Sequence, residues 1–191
     1  MKKLIFLIFL GSLFSCRYEV QPKPNAYLAL DYPDAEYGAY LEENCPYSFE
    51  KNTIATIVPS RAGNACWVNI RYSDLKGTIF LTYQPVLNNL DSLLTDAQKL
   101  PLQHTIKADA IKSSVYINDF HNTYGMFYQV EGNAASQAQF YLTDSTRHFL
   151  TGSVYFEVQP NFDSILPAAA YLKEDIKHLM ETVEWKEGMQ D

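Results

Sequence analysis

An alternation of side chains in residues 66–72 constrains the fold more than any other feature of this sequence. Alternate residues of this stretch share one face of an extended strand, because successive side chains of a strand point to opposite sides. They are Cys66, Val68, Ile70 and Tyr72. The residues SDLKG at 73–77 are typical of a hairpin turn, and 78–83 continue as a second strand. The sequence therefore predicts an antiparallel hairpin here.

Seven further stretches have the composition or alternation of strands. They are residues 26–32, 47–49, 53–58, 114–118, 124–130, 138–143 and 149–158. Residues 34–44 are polar and irregular, and 131–133 (EGN) predict a turn between two strands.

The middle of the chain has a helical period after Asn89, which can cap a helix. Apolar residues recur there at the spacing of one helix face. They are Leu90, Leu93, Leu94 and Ala97. Pro101 is expected to end or restart this helix, and residues 108–111 are expected to add a second short helix.

The strongest helical pattern lies near the end of the chain. Asp163 or Ser164 is predicted to cap this helix, and Pro167 to lie in its first turn. One stripe is apolar: Leu172, Ile176, Leu179 and Val183. The opposite face is charged or polar: Lys173, Glu174, Lys177, His178, Glu181 and Glu184. Such a helix is amphipathic and packs on a core through its stripe.

Hairpins with helices between and after them predict an α+β fold, an antiparallel β-sheet covered by helices with a C-terminal amphipathic helix. The order of a strand, a proline-containing loop and an amphipathic helix is similar to that of Mog1/PsbP-like folds.

The N-terminus has the features of an export signal. Lys2 and Lys3 precede an apolar run of only seven residues, whereas roughly 20 are needed to span a bilayer. Ser15 before Cys16, with Leu13 two places earlier, resembles the lipobox of bacterial lipoproteins. The resemblance implies cleavage before Cys16 and a lipid on its sulfur. The alternative is an ordinary secreted protein with an incidental cysteine.

We expect three segments: a signal peptide over residues 1–15, a lipidated tether over 16–25 and a single α+β domain over 26–191. The tether is polar and carries two prolines, which favours an extended chain. It lacks an acidic run directly after Cys16, which favours a domain facing the periplasm. Lipid on Cys16 would make the protein membrane-anchored without a spanning helix.

Two cysteines remain in the exported domain, Cys45 and Cys66. A disulfide between them is the simplest prediction in an oxidising compartment, closing a loop of about 20 residues. Two free buried thiols remain an alternative. A metal site is disfavoured because neither cysteine belongs to a CxxC motif.

The charge of the chain excludes some partners. Removing Lys2 and Lys3 takes the formal net charge from −7 to −9. Nucleic acid requires a basic surface, so we expect no nucleic-acid binding.

The sequence lacks the common catalytic motifs: a GxSxG elbow, HExxH, a P-loop and GxGxxG. The four histidines are scattered: His104, His121, His148 and His178. We therefore expect a protein that is not an enzyme, with no cofactor and no metal.

The polar stretch from Gly132 to Gln139 is the candidate for partner binding. Its amides and hydroxyl offer adaptable hydrogen bonding: Asn133, Ser136, Gln137 and Gln139. The alternative is that these groups satisfy the backbone of their own turn, since Asn and Gly are common turn residues.

Several stretches together resemble the gliding motility lipoprotein GldD family. They are 45–50 (CPYSFE), 66–70 (CWVNI), 75–79 (LKGTI), 96–100 (DAQKL), 104–109 (HTIKAD), 124–128 (YGMFY), 132–137 (GNAASQ), 148–152 (HFLTG) and 166–172 (LPAAAYL). The resemblance implies a lipid-anchored accessory of the gliding machinery, linked to type IX protein secretion, with other motility and secretion proteins as partners. It carries over no catalytic residue. A non-catalytic interaction or stabilising module is the first hypothesis, and a cell-envelope enzyme or ligand-binding lipoprotein acting on glycan or lipid is the second.

Overall fold

The computed structural model describes residues 32–60, 64, 66–103, 108–157 and 162–186. These residues form ten strands and two helices. The strands are β1 Tyr37–Leu41, β2 Tyr47–Asn52, β3 Thr56–Pro59, β4 Val68–Tyr72, β5 Gly77–Pro85, β6 Ala108–Asn118, β7 Thr123–Gly132, β8 Ser136–Thr143, β9 His148–Phe156 and β10 Glu184–Trp185. The helices are α1 Leu90–Leu102 and α2 Phe162–Thr182.

The strands form two antiparallel sheets. The larger has seven strands in the order β3-β4-β5-β9-β8-β7-β6, and the smaller has three in the order β1-β2-β10. The predicted hairpin is confirmed: Ile70 of β4 lies opposite Ile79 of β5, and the amide of Lys76 donates to the carbonyl of Ser73 across the turn. The predicted α+β class is also confirmed.

The main core lies between α2 and one face of the seven-stranded sheet. The predicted apolar stripe of α2 is confirmed, since its members are at most 2% exposed: Leu172, Ile176, Leu179 and Val183. They share a cluster with Val68 and Ile70 of β4 and with residues of β5, β8 and β9. The smaller sheet packs against the same helix through Tyr47 and Phe49 of β2.

Helix α1 covers only part of the opposite face. Its Leu93 and Ala97 pack on Tyr128, Tyr141 and Phe149, which belong to β7, β8 and β9. The strands β3, β4 and β5 lie beyond this cluster at the other end of the sheet. Neither helix in the described part of the chain is long and apolar enough to cross a membrane.

Four local predictions were wrong. Residues 34–44 contain strand β1, whose partner is β2. Residues 108–111 begin strand β6 instead of a helix, because they pair with β7 apart from an irregularity between Ala108 and Ala110. Helix α2 begins at Phe162, so Asp163 and Ser164 lie inside it. Pro167 consequently falls one turn deeper than its predicted position in the first turn.

Two further predictions have a mixed outcome. Asn89 occupies the N-cap position of α1 but makes no capping hydrogen bond with its side chain, which accepts from the amide of Leu87 instead. Pro101 lies inside α1, which continues to Leu102.

The strand predicted over residues 26–32 lies outside the described residues except for Tyr32, which is not in a strand.

Candidate partner-binding face

The two cysteines of the domain connect its two sheets. Cys45 lies just before β2 of the smaller sheet and Cys66 just before β4 of the larger one, and a disulfide joins them with their Cα atoms 5.2 Å apart. Both residues are buried. The bridge therefore holds the smaller sheet at the edge of the main core. Cys16, the predicted lipidation site, lies outside the described residues.

The recognition surface predicted for Gly132–Gln139 is wrong. Ser136 and Gln137 are fully buried and Gln139 is 3% exposed, so their side chains cannot contact a partner. Only Asn133 of the four is exposed. The hydroxyl of Ser136 donates to the carbonyl of Ala138, and the amide of Gln137 donates to the carbonyls of Gly132 and Ala134. These polar groups satisfy their own turn.

Two of the scattered histidines make contacts at the surface of the smaller sheet. His178 Nε2 lies 2.8 Å from Glu50 Oε2, and its ring stacks on Tyr37 with centroids 3.5 Å apart. His121 Nδ1 lies 3.6 Å from Glu184 Oε1. These pairs tie α2 to β2 and the β6–β7 turn to β10. His104 lies outside the described residues.

Among the described histidines, His148 is the buried one, at 5% exposure. Its Nδ1 lies 2.9 Å from the hydroxyl of Tyr83, and its ring stacks on that of Trp185 with centroids 5.1 Å apart. Burial lowers the pKa of His148 below its ordinary value, so the neutral ring is favoured. The ring is too enclosed to meet a substrate and joins β5 and β9 to β10. Within the described residues, no cluster of three or more His, Cys, Asp and Glu could hold a metal ion.

Asp175 is a buried carboxylate that the sequence analysis missed. Tyr37 donates to its Oδ1 at 2.8 Å, and Asn52 donates to its Oδ2 at 3.1 Å. Burial raises the pKa of Asp175 above its ordinary 3.8, and hydrogen bonds from Tyr37, Tyr72 and Asn52 partly oppose this shift. The arrangement fastens β1 and β2 to α2. Asp175 could have been noticed in the sequence, because it directly precedes Ile176 of the apolar stripe.

The raised pKa of Asp175 predicts a pH dependence of stability. The folded state holds the proton more tightly than the unfolded state. The stabilisation from Asp175 is therefore fully present below its ordinary pKa of 3.8 and is lost as pH rises through the raised folded value. Asp175→Asn does not titrate, so its stability relative to the wild type should improve as pH rises from 4 to 7, as measured by urea unfolding. Parallel pH profiles for the two proteins would contradict this assignment.

The part of the seven-stranded sheet that α1 leaves uncovered forms what we call the open face. It carries Val58, which is next to the half-buried Ile57 of β3, and Phe80 and Tyr155, which alternate with the buried residues of β5 and β9. These side chains are 39%, 41% and 38% exposed, respectively. The rings of Phe80 and Tyr155 meet edge to face with centroids 5.7 Å apart. An exposed group of apolar side chains on a sheet is typical of a protein interaction site.

Val58 and Phe80 line a groove of about 480 Å³ together with polar residues, and Asn69 lies between the two in the strand register. Among the residues that line it are Ser60, Asn69, Arg71, Thr78 and Glu157, together with Phe80. Arg71 and Glu157 form a half-exposed ion pair at 2.9 Å. The groove is open to solvent and presents apolar and polar side chains side by side, as protein interfaces do.

The fold is similar to that of a known protein. The similar structure is the solution structure of cyanobacterial PsbP (CyanoP) from Synechocystis sp. PCC 6803, with a TM-score of 0.50 and 11% sequence identity. The similarity covers 86% of this chain and 99% of that chain. The predicted PsbP-like architecture is thus confirmed at the level of the fold. None of the curated proteins matches this chain.

The family follows from the sequence. The family model of the gliding motility lipoprotein GldD matches residues 17–185, which is most of the chain. The chain therefore belongs to the GldD family of gliding motility lipoproteins. This membership makes it a lipoprotein of the cell envelope that is involved in gliding motility.

Proposed function

We propose that this chain is a non-catalytic interaction module of the gliding machinery, anchored by lipid on Cys16 and facing the periplasm. Its partners are other motility proteins and proteins of type IX secretion. The open face supports this proposal. The rings of Phe80 and Tyr155 are exposed there, on strands whose alternate side chains are buried in the core. Aromatic side chains are enriched at the centres of protein interfaces.

The internal chemistry of the domain is consistent with this proposal. The buried ionisable groups that we describe have structural partners: Asp175 accepts from Tyr37 and Asn52, and His148 contacts Tyr83. Each of them connects elements of the fold. The proposal therefore assigns function to the surface of the domain and stability to its buried polar groups.

Replacing both aromatic side chains of the open face should abolish gliding. Phe80→Thr with Tyr155→Thr keeps residues that favour strands while removing the exposed rings, so we expect normal folding and loss of partner binding. The measurement is surface spreading of cells that produce the variant in place of the wild type, with protein abundance and Tm checked in parallel.

The matched control is Leu41→Thr, since Leu41 is an apolar strand residue that is 70% exposed on the smaller sheet. We expect cells with this variant to glide normally. Normal spreading by the Phe80 and Tyr155 double variant at normal abundance would refute the open face as the functional surface.

The lipid anchor can be tested at one atom, the sulfur of Cys16. Cys16→Ser removes the thiol that would carry the lipid, so the variant should not incorporate a fatty-acid probe and should leave the membrane fraction. A stable anchor requires more than one acyl chain. Because Cys16→Ser removes the group that would carry the lipid, the variant should lose nearly all of its membrane association. Continued labelling and membrane retention of Cys16→Ser would show that the anchor lies elsewhere.

A second function, binding of a glycan or lipid group, is favoured by the polar side chains of the groove on the open face. Asn69, Arg71 and Glu157 could orient the polar groups of a ligand whose apolar side lies on Phe80. Under this function, Asn69→Ala should abolish gliding as strongly as loss of the aromatic rings. Under the interaction function, this single change of a polar side chain should have a small effect, because the aromatic rings carry most of the binding energy.

A further inference from the structure

Among the described strands, the other end of the seven-stranded sheet is an open strand edge. Strand β6 is the last in the sheet order, and β7 is its partner among the described strands. It is 11 residues long. Its C-terminal part, residues 113–118 (SSVYIN), contains no charge and no proline. Natural proteins usually protect such an edge with charged residues, proline or a covering element.

Apolar side chains next to this edge are exposed to an unusual degree. Val115 is 71% and Ile117 is 66% exposed, and both project from the same face of β6. Phe120, in the turn that follows, is 88% exposed. A side chain of a strand added beside β6 would lie directly against Val115 and Ile117.

A groove lies along the opposite face of the same edge, between β6 and helix α2. Its volume is about 290 Å³, and it is lined by Ser114 and Tyr116 of β6, by Phe127 of β7, and by Lys177, Met180 and Glu181 of α2. Phe127 and Met180 are buried and form an apolar floor. The hydroxyl of Tyr116 donates to the carbonyl of Met180 at 2.9 Å, which fixes the strand against the helix.

The end of the edge has a negative charge. Asp119 follows β6 directly. Glu181 of α2 and Glu184 of β10 are exposed carboxylates whose residues contact the same turn. Asn118 donates to the carbonyl of Glu181, and His121 lies 3.6 Å from Glu184. A basic residue next to an uncharged extended segment would therefore complement this end of the strand.

We propose that β6 binds an extended segment of a partner protein, which adds to the seven-stranded sheet as a further strand. An open edge presents backbone N–H and C=O groups in a row that another extended strand satisfies. Alternate side chains of the segment pack on Val115 and Ile117, and those between them enter the groove beside α2. The segment is apolar, uncharged in its centre and followed by Lys or Arg near Asp119. This site lies at the opposite end of the sheet from the open face, so it is independent of the proposed function.

The test uses backbone hydrogen exchange, because strand addition protects amides that side-chain docking leaves exposed. The lipidated full protein in detergent is mixed with a short synthetic peptide in which Val alternates with Thr and which ends in Lys. At ten times its Kd, the peptide should slow exchange of alternate amides in residues 113–118 by about tenfold. Absence of protection in β6 at saturating peptide would overturn the proposal.

A charged edge supplies the matched variant. Val115→Lys with Ile117→Lys should abolish the protection without unfolding the domain, since both side chains are already exposed. Leu41→Lys places one such charge on β1, an edge strand of the other sheet, and should leave the protection unchanged. Equal protection in the β6 variant would overturn the proposal.

Two other occupants of the edge are distinguished in the same experiment. If the amides of β6 are already protected without peptide, the edge is occupied by a second copy or by residues 17–31 of the same chain, and the proposal fails. Sedimentation then separates these cases, because a second copy doubles the mass and an intrachain strand does not.

Discussion

Leu172→Ala should lower the free energy of unfolding by about 2–5 kcal/mol. Leu172 is fully buried in the stripe with which α2 packs on the seven-stranded sheet. Removing its isobutyl group loses apolar burial and leaves a cavity that the surrounding strands cannot fill. Leu179→Ala should have a similar cost, since Leu179 is 2% exposed. Urea unfolding followed by circular dichroism measures both.

The control variants lie on the solvent side of the same helix. Glu174→Ala and Glu181→Ala replace exposed carboxylates, and Glu174 makes a surface ion pair with Lys177. We expect each to change the free energy of unfolding by less than about 1 kcal/mol. Similar small effects from all four variants would mean that α2 does not pack on the sheet through its apolar stripe.

Loss of the disulfide should have a comparable effect. In the chain-entropy model, closing a loop of this size stabilises a protein by about 3 kcal/mol. The two cysteines are 21 residues apart, and each precedes a strand of a different sheet. Cys45→Ser with Cys66→Ser should therefore lower the free energy of unfolding by about 3 kcal/mol and should preferentially loosen the smaller sheet. Urea unfolding and amide exchange in β2 measure the two effects.

Reduction of the wild-type protein is the matching control, because it opens the loop without changing a side chain. It should lower the stability by a similar amount, and alkylation should then label both thiols. Two alkylatable thiols in the untreated mature protein, or a double variant as stable as the wild type, would contradict the role given to the bridge.

The parts of the fold that the sequence predicted are those with a long, regular period. The β4–β5 hairpin alternates over its whole length, and α2 repeats its apolar stripe over several turns. Strand β1 was missed because it is short and lies at the edge of the smaller sheet, and the buried Asp175 that Tyr37 contacts comes from a distant part of the chain. Residues 108–111 have a local preference for helix, but pairing of the whole of β6 with β7 outweighs it.

The candidate surface depends on packing that no local pattern specifies. Ser136 and Gln137 have the composition of an exposed turn, but β8 lies in the middle of the sheet and buries both. Phe80 could have been noticed in the sequence. It lies between Ile79 and Leu81 of an apolar strand, so its side chain points to the opposite face. Whether such a strand is covered on its second face depends on the position of α1, which stops short of β5 and leaves Phe80 exposed.

We expect the open face to contact another protein of the gliding or secretion machinery. The most direct measurement replaces Phe80 with a photoreactive phenylalanine analogue in gliding cells and identifies the adducts by mass spectrometry. Leu41 with the same replacement is the control, as an exposed strand residue of the other sheet. We expect position 80, and not position 41, to crosslink to a motility or type IX secretion subunit. No adduct at position 80, or the same adducts at both positions, would contradict the claim.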